Sequence, residues 1–310
     1  MEKHSHDQPR PDMHRRALAT LASAALAFAV AAAGAGSAEA AGVSLVKGIS
    51  ANWSGYAATR TTVSNKFERV AGSWTQPAGN CTRREGSYSA TWVGLGGFKR
   101  GSRALEQDGS EVDCTPFGQA VYSAWFELVP ADPVQLPLKI HAGDSLSASV
   151  AVRDSRVIMQ VVDHTTGRSR TVVRRMTDPS PDVSSAEWIV EAPSACFSAE
   201  VCRTLPLTDF GTVSFTNASA TTAQGARTAI AANGYRVTKL ELRDAATALR
   251  RGRRGDEAPL TGAEPSELLP GYSSFNVAFE RLHGEAAEKA ASETDEAEED
   301  KPSPPAGRPR

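Results

Sequence analysis

The chain has 310 residues, 40% of them hydrophobic, and its 34 basic residues nearly balance 36 acidic ones to leave a formal net charge of -2. That balance gives no electrostatic reason to expect a nucleic acid as partner, and the apolar share is too high for a chain that stays unfolded throughout. Apart from one run near the N-terminus, no stretch is long and apolar enough to span a bilayer.

In chain order, Arg15 and Arg16 precede an Ala-rich apolar run over 17–33, and small residues lead to Ala38, Glu39 and Ala40. A basic start, an apolar middle and an A-x-A site make a secretory leader, so residues 1–40 are expected to be cleaved after Ala40 and the protein secreted, with no membrane contact afterwards. Residues 41–51 are read as a short lead. Residues 52–282 are read as one large β domain. Ten segments in it are short and rich in Val, Tyr, Trp, Phe and Thr: 67–77, 88–97, 119–130, 145–154, 157–164, 170–176, 186–193, 210–219, 235–244 and 273–282. Gly, Pro, Asn and Asp clusters separate them, the pattern of an all-β sandwich or barrel. Residues 241–260 are read as a loop or short surface helix whose arginines, 250–254, form a solvated face or a nicking site. Residues 283–310 are acidic, then Pro-rich, with too little apolar surface to offset their ordering entropy; a disordered tail is expected.

All four cysteines lie beyond the leader. An even number in an oxidising compartment implies two disulfides, read as Cys81 with Cys114 and Cys196 with Cys202. No paired C-x-x-C knuckle is present, and His141 and His164 lie near no cysteine in sequence, so a zinc site is not expected. No cofactor fingerprint, P-loop, H-E-x-x-H or G-x-S-x-G is present either. Only His141, His164 and His283 follow the leader, so any chemistry falls to carboxylates and amides.

The stretch SSAEWIVEAPS (184–194) sets two acids in an apolar run. As a strand it puts Glu187, Ile189 and Glu191 on one face and Ala186, Trp188 and Val190 on the other. Either this is a solvated edge strand or a carboxylate is held in a groove. In 120–130 the same alternation gathers Ser123, Trp125 and Glu127. In 105–111 it gathers Leu105 and Gln107 before a turn expected at Asp108-Gly109. Trp92 heads a Gly-rich strand end where backbone can approach a ligand. Trp, Gln and Glu on a concave face make a polar groove walled by aromatics, suited to an extended polymer, peptide or sugar. Taken singly, Trp92 and Trp125 also read as core, Gln107 as a surface amide, and Glu127, Glu187 and Glu191 as solvated strand charges.

The segments NWSGYAA (52–58), VAGSWTQP (70–77), WVGLGG (92–97), LEQDG (105–109), YSAWFELVP (122–130), GDSLSASV (143–150), AEWIVEAP (186–193) and DFGTVSFTNAS (209–219) stand in an order that resembles the glutamic peptidases, or eqolisins, most of all their bacterial secreted members. The resemblance implies a lectin-like sandwich of two antiparallel sheets and a pepstatin-insensitive acid endopeptidase acting on protein or peptide substrates. It assigns the catalytic pair to Gln107 and Glu191, 84 residues apart. It places Trp92 and Glu127 in the wall of the active site and matches Asn52 and Trp53 to an N-terminal motif. Trp53, Trp92, Trp125 and Glu127 are therefore the expected substrate contacts. Two residues depart from the fungal pattern: Gly96 and Ser123 stand where aspartates are usual. The implied chemistry uses Glu191 as general base on water and Gln107 as oxyanion donor. With a reference carboxyl value near 4.3, it predicts an acidic optimum. A monomer is expected. The alternatives are a glycoside hydrolase using Glu127 and Glu191 and a non-catalytic module presenting Trp92 and Trp125 to a sugar or peptide.

Overall fold

The computed structural model describes residues 44–61, 66–82, 86–198, 201–243 and 260–282. The expected leader, the Arg-rich segment and the acidic tail lie outside the described residues. Eighteen strands and no helix are present among the described residues. In chain order they are β1 (Ser44–Ser50), β2 (Trp53–Arg60), β3 (Phe67–Thr75), β4 (Ser87–Gly96), β5 (Leu105–Cys114) and β6 (Ala120–Val129). Then come β7 (Val134–Gln135), β8 (Ser145–Arg153), β9 (Arg156–Asp163), β10 (Arg168–Arg175), β11 (Ser185–Glu191) and β12 (Ser194–Ser198). The last six are β13 (Val201–Thr204), β14 (Thr212–Thr222), β15 (Arg227–Thr228), β16 (Tyr235–Arg243), β17 (Leu260–Pro265) and β18 (Phe275–Leu282). All ten expected strands are among them.

Hydrogen bonding runs without a break in the order β10-β9-β8-β3-β14-β18-β17-β16-β2-β11-β4-β5-β6-β7. The ribbon doubles back at β14, whose pairing with β3 skips between Thr216 and Ser219; such a bulge bends a strand and lets it serve two sheets. β3, β8, β9 and β10 thus form a back sheet, and β4, β5 and β11 face it. Side chains alternating inward fill the gap. In β9 the alternation is complete, with Val157, Met159, Val161 and Asp163 buried and the residues between them more open. Two indoles cross the core and hydrogen-bond the opposite layer. Trp188 Nε1 on β11 donates to the Ala71 carbonyl on β3 at 2.8 Å, and Trp74 Nε1 on β3 donates to Ser110 Oγ on β5 at 2.9 Å. Each satisfies a polar atom that burial would otherwise leave unpaired. Phe215 and Phe275 stack at 4.8 Å beside them.

Three departures from the sequence reading position the site. The lead is not outside the fold: 44–50 form β1, which pairs in parallel with β16. No turn occurs at Asp108-Gly109; β5 runs straight through both. Gly109 is needed for close packing rather than for turning, because a Cβ there would lie 2.1 Å from the Thr91 carbonyl and 2.8 Å from the Trp92 Cα. And β11 is no edge strand, being paired to β2 on one side and β4 on the other. The solvated reading of Glu187 fails with it.

The disulfide Cys81–Cys114 ties the loop after β3 to the end of β5. Cys202 is disulfide-bonded, and the β12–β13 register sets residue 196 opposite it; the Cys196 side chain lies outside the described residues. The edge strand β10 is exposed along nearly all its length and carries Arg168, Arg170, Arg174 and Arg175, charges that discourage edge-to-edge pairing. No helix among the described residues is long and apolar enough to cross a membrane.

Candidate active site

The two faces of β11 meet two separate apolar clusters. Ala186, Trp188 and Val190 enter the core between the sheets. Ile189 joins Trp92, Trp125, Ala57, Ala90, Leu105 and Leu240 on the outer face, with Trp53 packed against them. Glu187 and Glu191 share that outer face by the period of two. Residues directly paired across strands also share a face. The rows running over β11, β4, β5 and β6 can therefore be read from the register. One holds Glu187, Gly94, Gln107 and Glu127; the next holds Ile189, Trp92, Gly109 and Trp125; the third holds Glu191, Ala90, Glu111 and Ser123. Gln107 and Glu191 are thus on one sheet surface, on either side of the tryptophan row.

Glu191 is held by N–H donors. Asn52 Nδ2 donates to Oε1 at 2.9 Å and Trp92 Nε1 donates to Oε2 at 2.8 Å. The Trp53 side chain lies directly across the ladder from Glu191, its ring edge-on to Trp92 at 5.0 Å. Glu191 keeps part of its surface open to the cleft, yet its surroundings are dense. Burial is the main influence and pushes its carboxyl up to about 7; the Trp92, Trp53 and Asn52 side chains pull it down, and the charge of Glu127 pushes it up. Glu127 therefore acts on Glu191 electrostatically, and it also touches Gln107: Gln107 Nε2 donates to Glu127 Oε2 at 2.6 Å. Gln107 is 4% exposed, and its Oε1 is buried with no partner. Gly109 lies between Trp92 and Trp125 in the row, closely packed against Trp92, and both indoles belong to one apolar cluster. Trp125 is 6% exposed and its Nε1 lacks an acceptor. All six expected site residues, Gln107, Glu191, Trp53, Trp92, Trp125 and Glu127, are brought to this face.

Residues that the sequence reading did not assign to the site surround it. Asn52, quoted only as part of a motif, binds Glu191 directly. Glu111 accepts the hydroxyl of Ser123, and burial raises its carboxyl; its place on the Gln107 face followed from parity along β5. Glu187 is fully buried with no donor within hydrogen-bonding geometry on either oxygen, and burial holds it protonated well above the ordinary carboxyl range. At Gly96, φ is +83° and a Cβ would fall 2.6 Å from the Cβ of Asp182. The space beside position 96 is therefore filled by Asp182 from the loop after β10. Asp182 accepts the Ser102 hydroxyl and gives its backbone N–H to Glu106 Oε1 at 3.2 Å. No spacing in the sequence connects residue 182 to residue 96. Among the described residues no group of three His, Cys, Asp or Glu side chains has the arrangement of a metal site.

Comparison with known proteins follows the same strands. Aspergillopepsin-2 of Aspergillus niger is 30% identical over 193 residues, which is 56% of this chain and 64% of that protein; the chain thus spans just under two thirds of the curated relative. A crystal structure of scytalido-glutamic peptidase with a peptide-based transition state analog superposes with a TM-score of 0.55 at 20% identity, over 74% of this chain and 98% of that one. SCP-B, an eqolisin solved with the tripeptide Ala-Ile-His, gives 0.52 at 20% identity over the same shares. These likenesses agree with the β-sandwich. Residues 51–250, well over half of the chain and all three rows of the site face, match the model of the peptidase A4 family, and the chain belongs to that family.

Proposed function

We propose that the protein is a secreted endopeptidase that hydrolyses peptide bonds in protein substrates with Glu191 and Gln107. The observation that carries this reading is the setting of Glu191: a carboxylate held by two N–H donors, from Asn52 and Trp92, on the same sheet face as an amide with an unused N–H. Glu191 as carboxylate takes a proton from water, and the hydroxide attacks the scissile carbonyl. The negative charge that develops on the carbonyl oxygen accepts the second N–H of Gln107, an interaction worth roughly 2.7–4 kcal/mol in the transition state. Glu191 then returns its proton to the departing amine, which restores the carboxylate. Trp53 and the small open part of Trp125 wall the path of an extended peptide, while Trp92, expected as a substrate contact, is fully buried beneath them and acts through its hydrogen bond to Glu191. Secretion is supported by the leader composition and the Cys81–Cys114 disulfide.

Burial modifies the acidic optimum expected from the reference carboxyl value. Burial pushes the Glu191 carboxyl up to about 7, so the acid-side fall of kcat/KM lies higher than the reference value implies.

The test is digestion of denatured casein from pH 2 to pH 8 by the wild type, Glu191→Gln and Gln107→Ala. Loss of turnover by Glu191→Gln, and a fall on the order of 100- to 1,000-fold in kcat for Gln107→Ala, are expected at unchanged melting temperature. Wild-type turnover by Glu191→Gln overturns the reading. Hydrolysis of polysaccharide with no action on casein replaces it by the glycosidase.

A further inference from the structure

We infer that Glu127 is a positioning residue: as a carboxylate it accepts the Gln107 Nε2 hydrogen bond and so fixes which end of that amide faces the substrate. The inference rests on the proposed Gln107–Glu191 chemistry and deepens it. A primary amide has two ends of nearly equal shape, one donor and one acceptor, and only its partners decide between them. Among the described residues the Gln107 amide has one hydrogen-bond partner, Glu127 Oε2 at 2.6 Å. On its other flank the ladder supplies Gly94, which has no side chain to offer. An ionised carboxylate accepts and cannot donate, so it selects the Nε2 end. One N–H is then committed, the second is free for a developing oxyanion, and Oε1 is left on the far side, buried and unpartnered. Such a buried acceptor is unfavourable without a donor, and a bound water or substrate N–H would supply one. A protonated Glu127 instead has an O–H to give, and the amide turned end for end would accept it.

Glu127 and Gln107 are directly opposed on β6 and β5, so the contact is set by strand register rather than by a mobile loop. Burial raises the Glu127 carboxyl, the Gln107 hydrogen bond lowers it, and the charge of Asp132, in the turn after β6, raises it further; Glu127 in turn bears on Glu191 across the cleft. Position 127 therefore has two separable effects: it aims the amide through contact, and it raises the proton affinity of Glu191 through charge.

The experiment measures kcat, KM and their pH dependence on casein-derived peptides for Glu127→Gln and Glu127→Asp, alone and combined with Gln107→Ala. Glu127→Gln replaces a charged acceptor by an amide that pairs in either sense; kcat is expected to fall on the order of 10- to 100-fold with KM within about twofold. The acid-side midpoint of kcat/KM moves to lower pH, because the charge that pushed Glu191 up is gone. Glu127→Asp keeps the charge but draws back from the amide: kcat falls while the midpoint stays. In the Gln107→Ala background, neither substitution lowers kcat further. Independent multiplicative losses in the double variants overturn the inference, as does wild-type kcat in Glu127→Gln. A loss of kcat that follows a drop in melting temperature in both single variants, with no pH shift in Glu127→Gln, overturns it in favour of a merely structural role. If Glu191→Gln retains turnover, the dyad and the inference fall together; if Glu191→Gln is inactive and the double variants are multiplicative, the inference alone falls.

Discussion

Replacing Glu106 with glutamine should abolish part of the protein's loss of stability at rising pH. Glu106 is fully buried on the core side of β5. Its Oε1 receives only the Asp182 backbone N–H at 3.2 Å, and its Oε2 has no partner. Burial, with a smaller push from the Asp182 charge, raises its carboxyl from 4.5 to about 8. Below about 4.5 the folded and unfolded chains both hold this proton. Between about 4.5 and 8 the folded chain keeps it and the unfolded chain releases it, so stability is present at low pH and declines as pH rises through that window. Above about 8 both have lost it. The window is about 3.5 pH units wide, and at about 1.4 kcal/mol per unit the loss approaches ~5 kcal/mol. Glutamine has the shape of the protonated acid. Glu106→Gln should therefore match the wild type at pH 4 and exceed it by up to ~5 kcal/mol at pH 8. Urea unfolding of both proteins at intervals from pH 4 to pH 8.5 gives the two curves directly. Parallel curves, with a constant difference across the range, would refute the reasoning.

Trp92→Phe removes the indole N–H that lowers the proton affinity of Glu191. The acid-side midpoint of kcat/KM should rise by on the order of one pH unit, the equivalent of one hydrogen bond to a charged group; an unmoved midpoint refutes this. Gly109→Ala drives a methyl group to within 2.1 Å of the Thr91 carbonyl. Separating β4 from β5 there should lower unfolding free energy by at least ~3 kcal/mol, and a denaturation midpoint equal to that of the wild type would contradict the packing described.

Much of the fold was legible because alternation is a local signal. β9 and β3 show it plainly, and parity alone placed Glu191 on the face of Ile189 and Trp125 on the face of Glu127. β5 was half lost because LEQDGSEVDC carries four acids and an Asp-Gly pair, local marks of a turn. Its inward acids are sheltered by partners remote in sequence, such as Asp182, 76 residues from Glu106. β2 carries little local strand signal, since three of the eight residues of WSGYAATR are Ala or Gly. Its small residues are required by the neighbouring strand: a Cβ on Gly55 would lie 2.1 Å from the Trp188 carbonyl. The site was visible as residue types, while the grip of Asn52 on Glu191 joins positions 139 apart and needed the three-dimensional register.

The double-sided burial of β11 restricts how this protein can diversify. Its alternate residues serve either the main core or the floor of the cleft, so a change that retunes the floor also disturbs folding. The opposite bank beyond the site residues of β6, from residue 130 to Gln135, is exposed and is expected to tolerate replacement more readily. Under the proposed function, new substrate preferences are therefore easier to acquire there, by altering the rim, while the strand that carries Glu191 stays as it is.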